Sequence, residues 1–177
     1  MLKGEKINIS YLNIAAQSPS LELNLSFSEK VHLENRKEKH ILFMCDRALT
    51  SCSVNVFNKK SICDICRYKA KKGFKEFNKR NPKSKLIRIT RSDLFRKKVV
   101  YNDFDEVTRN EFLLGVHSTI ATQLRLDNMD MLDSRWKKVK ERMLDSSYAL
   151  FSYFDSFFSI NNVNDFVIFN GRLSCQR

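Results

Sequence analysis

Near the start of the chain Ile7, Ile9 and Tyr11 alternate with polar partners across 6–14, which predicts a first strand. Ala15-Ala16-Gln17 reads as a tight turn. Ser18-Pro19 has the form of a helix start, a hydroxyl N-cap followed by a proline in the first turn, where its missing N–H costs nothing. The next residues fit two periods. Leu21, Leu23, Leu25 and Phe27 alternate as a strand would, whereas Leu23, Phe27 and Val31 fall four apart on one helical face. The cap and the length of the segment favour helix. The apolar run Ile41-Leu42-Phe43-Met44 predicts a buried strand, giving a β-α-β unit with a right-handed crossover and parallel strands.

Further on, 64–80 fits a basic helix ended by Asn81-Pro82, and 85–90 (KLIRIT) a third short strand. The stretch 91–105 is less regular, although Val99-Val100-Tyr101 suits a small strand. Asn102 or Asp105 can open a helix through Phe112, Leu113, Val116, Ile120 and Leu124. The clearest helix is 133–160, where Trp136, Val139, Met143, Leu150, Phe154 and Phe157 recur at spacings of three, four and seven, and Asn161-Asn162 can end it. Residues 165–169 predict a last, buried strand that leads into the turn Asn170-Gly171-Arg172. The expected fold is α/β: a Rossmann-like three-layer domain with a mostly parallel sheet and a helix-rich C-terminal half. A doubly wound sheet would feed that last strand into a further helix, so 1–177 is expected to be a single Rossmann-like domain that forms the front half of something larger.

Composition narrows the partners more than the fold. With 42% hydrophobic and 29% charged residues in 177, the chain can build one sizeable core. No window approaches 18 uninterrupted apolar residues, and the first six residues lack the apolar run of a signal peptide, so a cytoplasmic location with reduced thiols is expected. The formal net charge is +12, and half of the 32 basic residues, 16, lie in 59–98 against three acidic ones, Asp64, Glu76 and Asp93. Such a face should attract nucleic acid, phosphates of a nucleotide or lipid carrier, or an anionic membrane, unless it serves only to solubilise.

Candidate chemistry centres on 40–74. Cys45 and Asp46 close the second strand, and Cys45, Cys52, Cys63 and Cys66 place four of the five cysteines within 22 residues. Cys63-x-x-Cys66 at a helix start has the shape of a metal knuckle, and Cys45 with Cys52 could complete a tetrahedral thiolate site for structural Zn²⁺. The six residues between Cys45 and Cys52 exceed the usual two to four. An iron–sulfur cluster, a redox CxxC and plain packing are the alternatives. His117 is a candidate general base, set against the ordinary role of a lone helical histidine. In Asn170-Gly171-Arg172, glycine permits close approach to a ligand and arginine can grip phosphate or carboxylate; the bland alternative is an ordinary turn. Six aromatics in 148–158, spaced helically, predict core packing.

Taken in order, these motifs resemble the N-terminal half of bacterial GT-B-type glycosyltransferases of surface polysaccharide (capsule or O-antigen) biosynthesis. The motifs are the strand ending Cys45-Asp46, Cys52 and Asn55, Cys63-x-x-Cys66 ahead of a basic helix, the helical middle, and Phe169-Asn170-Gly171-Arg172. The resemblance spans 7–172. It implies an acceptor-side domain for a glycan or lipid-linked acceptor, with the nucleotide-sugar donor held by a second transferase domain or subunit. It further implies His117 or Asp46 as the catalytic base and Asn170, Gly171 and Arg172 on substrate. The basic stretch 69–98 would then contact the anionic inner membrane peripherally. The competing expectation is a zinc-stabilised basic module that binds nucleic acid.

Overall fold

The computed structural model describes residues 6–13, 15–17, 19–34, 38–96, 103–125 and 132–168. Four strands, β1 (Ile7–Leu12), β2 (Lys39–Cys45), β3 (Lys85–Ile89) and β4 (Val163–Ile168), form one parallel sheet in the order β3-β2-β1-β4. Helices α1 (Ser20–Glu34) and α2 (Lys60–Arg80) connect β1 to β2 and β2 to β3. The short α3 (Arg91–Leu94), then α4 (Glu106–Leu124) and the 27-residue α5 (Ser134–Ile160), precede β4. The chain is thus α/β with a Rossmann-like three-layer build. It winds outward from β1 to β3, then crosses back to add β4 on the other side of β1.

Helix ends follow from local chemistry. Asp105 and Asp133 cap α4 and α5 by accepting the N–H of Thr108 and Trp136, each at 2.9 Å. α2 begins at Lys60, four residues before the expected start, because the Asn55 side chain accepts the Lys59 N–H (2.8 Å) and donates to the Lys59 carbonyl (2.8 Å). Within the stretch left irregular by sequence, Thr90 and Asp93 form a reciprocal capping box that starts α3.

Two apolar clusters flank the sheet. On one face Ile7, Ile9, Tyr11, Ile41, Phe43 and Ile89 pack against Ala149, Leu150 and Phe154 of α5. On the other, Leu12, Leu42 and Met44 meet Leu21 of α1 and Ala70 and Phe77 of α2. A third cluster joins Val56, in the loop after β2, to Val116 and Ile120 of α4 and Val139 and Met143 of α5. The predicted aromatic packing is present: Phe154 lies 5.4 Å from Tyr11 and 5.3 Å from Phe43, centroid to centroid.

Two expectations are corrected. α1 is helical, but the face carrying Leu23 and Phe27 is not the buried one; they are 42% and 57% exposed. The buried face instead presents Leu21, Asn24 and Ser28, because Asn24 Nδ2 donates to the Tyr11 carbonyl (2.9 Å) and Ser28 Oγ to Ser10 Oγ (2.7 Å). β4 is not a fully buried strand. It pairs with β1 at the sheet margin and alternates between half-buried and exposed positions. The expected strand at Val99-Val100-Tyr101 and the Ser18 cap lie outside the described residues.

Candidate active site

In an open parallel sheet, the chain leaves neighbouring strands toward opposite faces where the strand order reverses, opening a crevice beyond their carboxyl ends. Here the reversal lies between β1 and β4. Asn13, Ala15 and Ala16 follow β1, and Cys45, Asp46 and Arg47 follow β2. Arg47 takes a left-handed conformation (φ 58°) that turns the chain sharply.

Asp46 stands at the rim, 15% exposed. Its backbone N–H donates to the Ile89 carbonyl (2.8 Å), extending the β2–β3 ladder by one residue. The carboxylate meets two guanidinium groups, Arg67 Nε at 2.7 Å from Oδ1 and Arg88 Nη1 at 3.7 Å from Oδ2. The Arg67 Nε–H is not aimed at the oxygen, and this nitrogen has no hydrogen-bond partner, so the contact is an ion pair. Arg67 also reaches Asp64 at 3.5 Å. Lys69 Nζ donates to the Ala16 carbonyl (3.0 Å), tying α2 to the turn after β1. Neither arginine donates a hydrogen bond to the carboxylate, so either can swing away from it. That movement would free a cation for an anionic group nearby.

The thiols divide. Cys45, Cys63 and Cys66 lie close enough to influence one another electrostatically. Burial pushes the Cys45 thiol up, against the opposing pull of the backbone N–H groups of Leu49, Ala48 and Arg47 gathered around its sulfur. Burial likewise pushes Cys66 up to about 11, although the Ala16 and Ala15 amides of the β1 turn face it. Cys63 accepts from Asn55 Nδ2 at 3.2 Å. Cys52 pairs with Asn55 in a small antiparallel bridge and packs beside the core under α5.

None of these four is in a disulfide, and among the described residues no group of three or more His, Cys, Asp or Glu side chains is placed to hold a metal. A thiolate-bound Zn²⁺ requires ionised sulfurs converging on one point. Among the described residues the thiols are not gathered in that way; they pack and hydrogen-bond at the turns that follow β1 and β2.

His117 lies on α4 next to Val116 of the third cluster, while Asp46 is met by arginines and not by this imidazole. α4 reaches the loop after β2 through Gln123 Nε2, which donates to the Ser53 carbonyl (3.1 Å). The same loop is held from α5, since Ser146 Oγ accepts the backbone N–H groups of Thr50 (3.1 Å) and Ser51 (3.3 Å). Asn170, Gly171 and Arg172 lie outside the described residues. Sequence reasoning passed over Arg67 and Arg88. The one signal for Arg67 was its place directly after Cys66, and for Arg88 its charged position between the apolar Ile87 and Ile89 of β3.

Among the described residues no helix is long and apolar enough to cross a membrane. No protein-family model, curated protein or solved structure matches the chain.

Proposed function

We propose that this chain is the acceptor-side domain of a GT-B-type glycosyltransferase of surface polysaccharide biosynthesis, acting with a second, donor-binding domain or subunit at the cytoplasmic side of the membrane. The observation that carries the reading is the convergence of Asp46, Arg67 and Arg88 at the carboxyl ends of β2 and β3, one strand away from the order reversal between β1 and β4. An arginine released from Asp46 would grip the diphosphate of a lipid-linked acceptor. The freed carboxylate would take the proton of the attacking hydroxyl, with His117 the alternative base. Asn170, Gly171 and Arg172, outside the described residues, would add substrate contacts. Lys71 and Lys75, exposed on α2, would serve contact with anionic lipid.

Binding of a polyprenyl-diphosphate-linked glycan in detergent micelles tests the reading. Arg67→Met and Arg88→Met should each weaken it about tenfold, the effect of losing a charge-assisted contact. Asp46→Asn should leave it within a few-fold. Acceptor binding indifferent to both arginines would overturn the assignment. Steeply salt-dependent binding of random single-stranded RNA, with the lipid-linked glycan ignored, would transfer it to a nucleic-acid-binding module.

A further inference from the structure

At the opposite end of the sheet, where the strands begin, a second cleft of about 590 Å³ opens. Lys6 immediately precedes β1; Lys39, which pairs with Ile7, opens β2; Lys85, which pairs with Ile41, opens β3. The turn from α2 to β3 supplies Lys83 and Ser84. That turn is fixed by Asn81, whose backbone and side-chain N–H groups both donate to the Phe77 carbonyl (3.0 Å each) and whose own carbonyl accepts from the Ser84 N–H (3.0 Å). Four ammonium groups therefore share one cleft with a single carboxylate, Glu38.

Two features mark this cleft. Lys79 and Arg80 on the neighbouring helix are neutralised by Glu76 and Glu29, whereas these four lysines, like most cations among the described residues, are in no ion pair, and here they converge on one concave site. Two buried polar atoms on residues that line the cleft also have no partner. Ser84 is only 7% exposed, yet its Oγ makes no hydrogen bond, and Glu38 Oε2 is enclosed and equally unmatched. Buried polar atoms are ordinarily satisfied, so two orphans just behind one cationic cleft mark side chains that gain a partner by turning toward a ligand that brings its own donors and acceptors.

We propose that this cleft binds a phosphorylated small molecule bearing a free hydroxyl. The phosphate lies among the lysine ammonium groups and accepts from Ser84 Oγ, while the ligand hydroxyl donates to Glu38. The site is separate from the crevice at the carboxyl ends and stands whether or not that crevice serves glycosyl transfer. A soluble phosphate ester and a glycerophospholipid headgroup share this chemistry, and the test separates them.

Amide-resolved titration with glycerol 3-phosphate should shift Lys39, Ser84 and Lys85 saturably at physiological ionic strength. Lys39→Gln and Lys83→Gln should each weaken binding at least about tenfold, with circular dichroism showing the fold kept. Glu38→Gln should weaken glycerol 3-phosphate but not inorganic phosphate, which has no alcohol to offer. Co-sedimentation with phosphatidylglycerol vesicles, absent with phosphatidylcholine and lost in Lys39→Gln, assigns the site to a headgroup. Binding of the soluble ester alone assigns it to a metabolite. The proposal fails if neither soluble phosphate nor phosphatidylglycerol vesicles bind saturably, or if binding survives both lysine substitutions.

Discussion

The two faces of the sheet are covered by different means. Toward α5, β1 and β2 present Ile7, Ile9, Tyr11, Ile41 and Phe43, and the helix answers with Phe154 and Phe157, whose rings lie 5.3 and 5.1 Å from Phe43 in edge-on contact. That face is held by apolar area and by aromatic geometry. Toward α1, the intervening residues Asn8, Ser10 and His40 are fully buried but polar. Ser28 Oγ donates to Ser10 Oγ, which in turn shares a hydrogen bond with His40 Nε2 (2.8 Å), so β1, β2 and α1 are joined by a short polar chain. This seam is imperfect: both amide atoms of Asn8 and the Nδ1 of His40 have no partner. One face supplies stability from burial. The other supplies register, because a one-residue slip of β1 would carry Asn8 and Ser10 into the aromatic core.

The sharpest way to break this contrast is to empty the aromatic face. Phe154→Ala removes the ring shared by Tyr11, Phe43 and Phe166 and should cost about 3–5 kcal/mol in urea unfolding. A loss below about 1 kcal/mol would show that α5 is not the main cover.

Acid should strain the polar face instead. Burial, with a smaller contribution from His32, lowers the His40 pKa from 6.5 to about 4. The unfolded chain therefore takes up a proton as pH falls through 6.5, and the folded one only near 4. The neutral imidazole's contribution is intact above pH 6.5 and is lost progressively down to about 4, a total on the order of 3 kcal/mol. Unfolding free energies at pH 7 and 4.5 should show most of that fall, and His40→Gln should reduce it. An equal fall in His40→Gln would place the acid sensitivity elsewhere.

The smallest effect is expected from Ser28→Ala, which shortens the polar chain but leaves Ser10 bonded to His40. A loss of about 1–2 kcal/mol is expected, with β1 hydrogen exchange raised more than that of α5.

The same contrast decides what could be read from sequence. α5 announces itself through the Asp133 cap and an apolar stripe at three, four and seven, since burial against a sheet of aromatics requires that period. In α1 the cap and length gave the element, but periodicity pointed to Leu23 and Phe27 while the buried face is Leu21, Asn24 and Ser28. A polar seam of this kind is invisible to a pattern search, because its partners belong to β1 and β2. The candidate site divides likewise. Cys45 and Asp46 were legible as a strand end. The arginines around Asp46 depend on the pairing of Met44 with Arg88 and on the placement of α2 against β2, which no local motif encodes.

α5 spans roughly 40 Å as one uninterrupted rod. Near its middle, Ser146 grips Thr50 and Ser51 above the crevice; farther along it underlies β1 and β2; at its end Asn161 and Asn162 hand the chain to β4. One rod thus ties the loop after β2 to both inner strands and to β4, so a displacement at Thr50 is opposed by the packing of a whole sheet face.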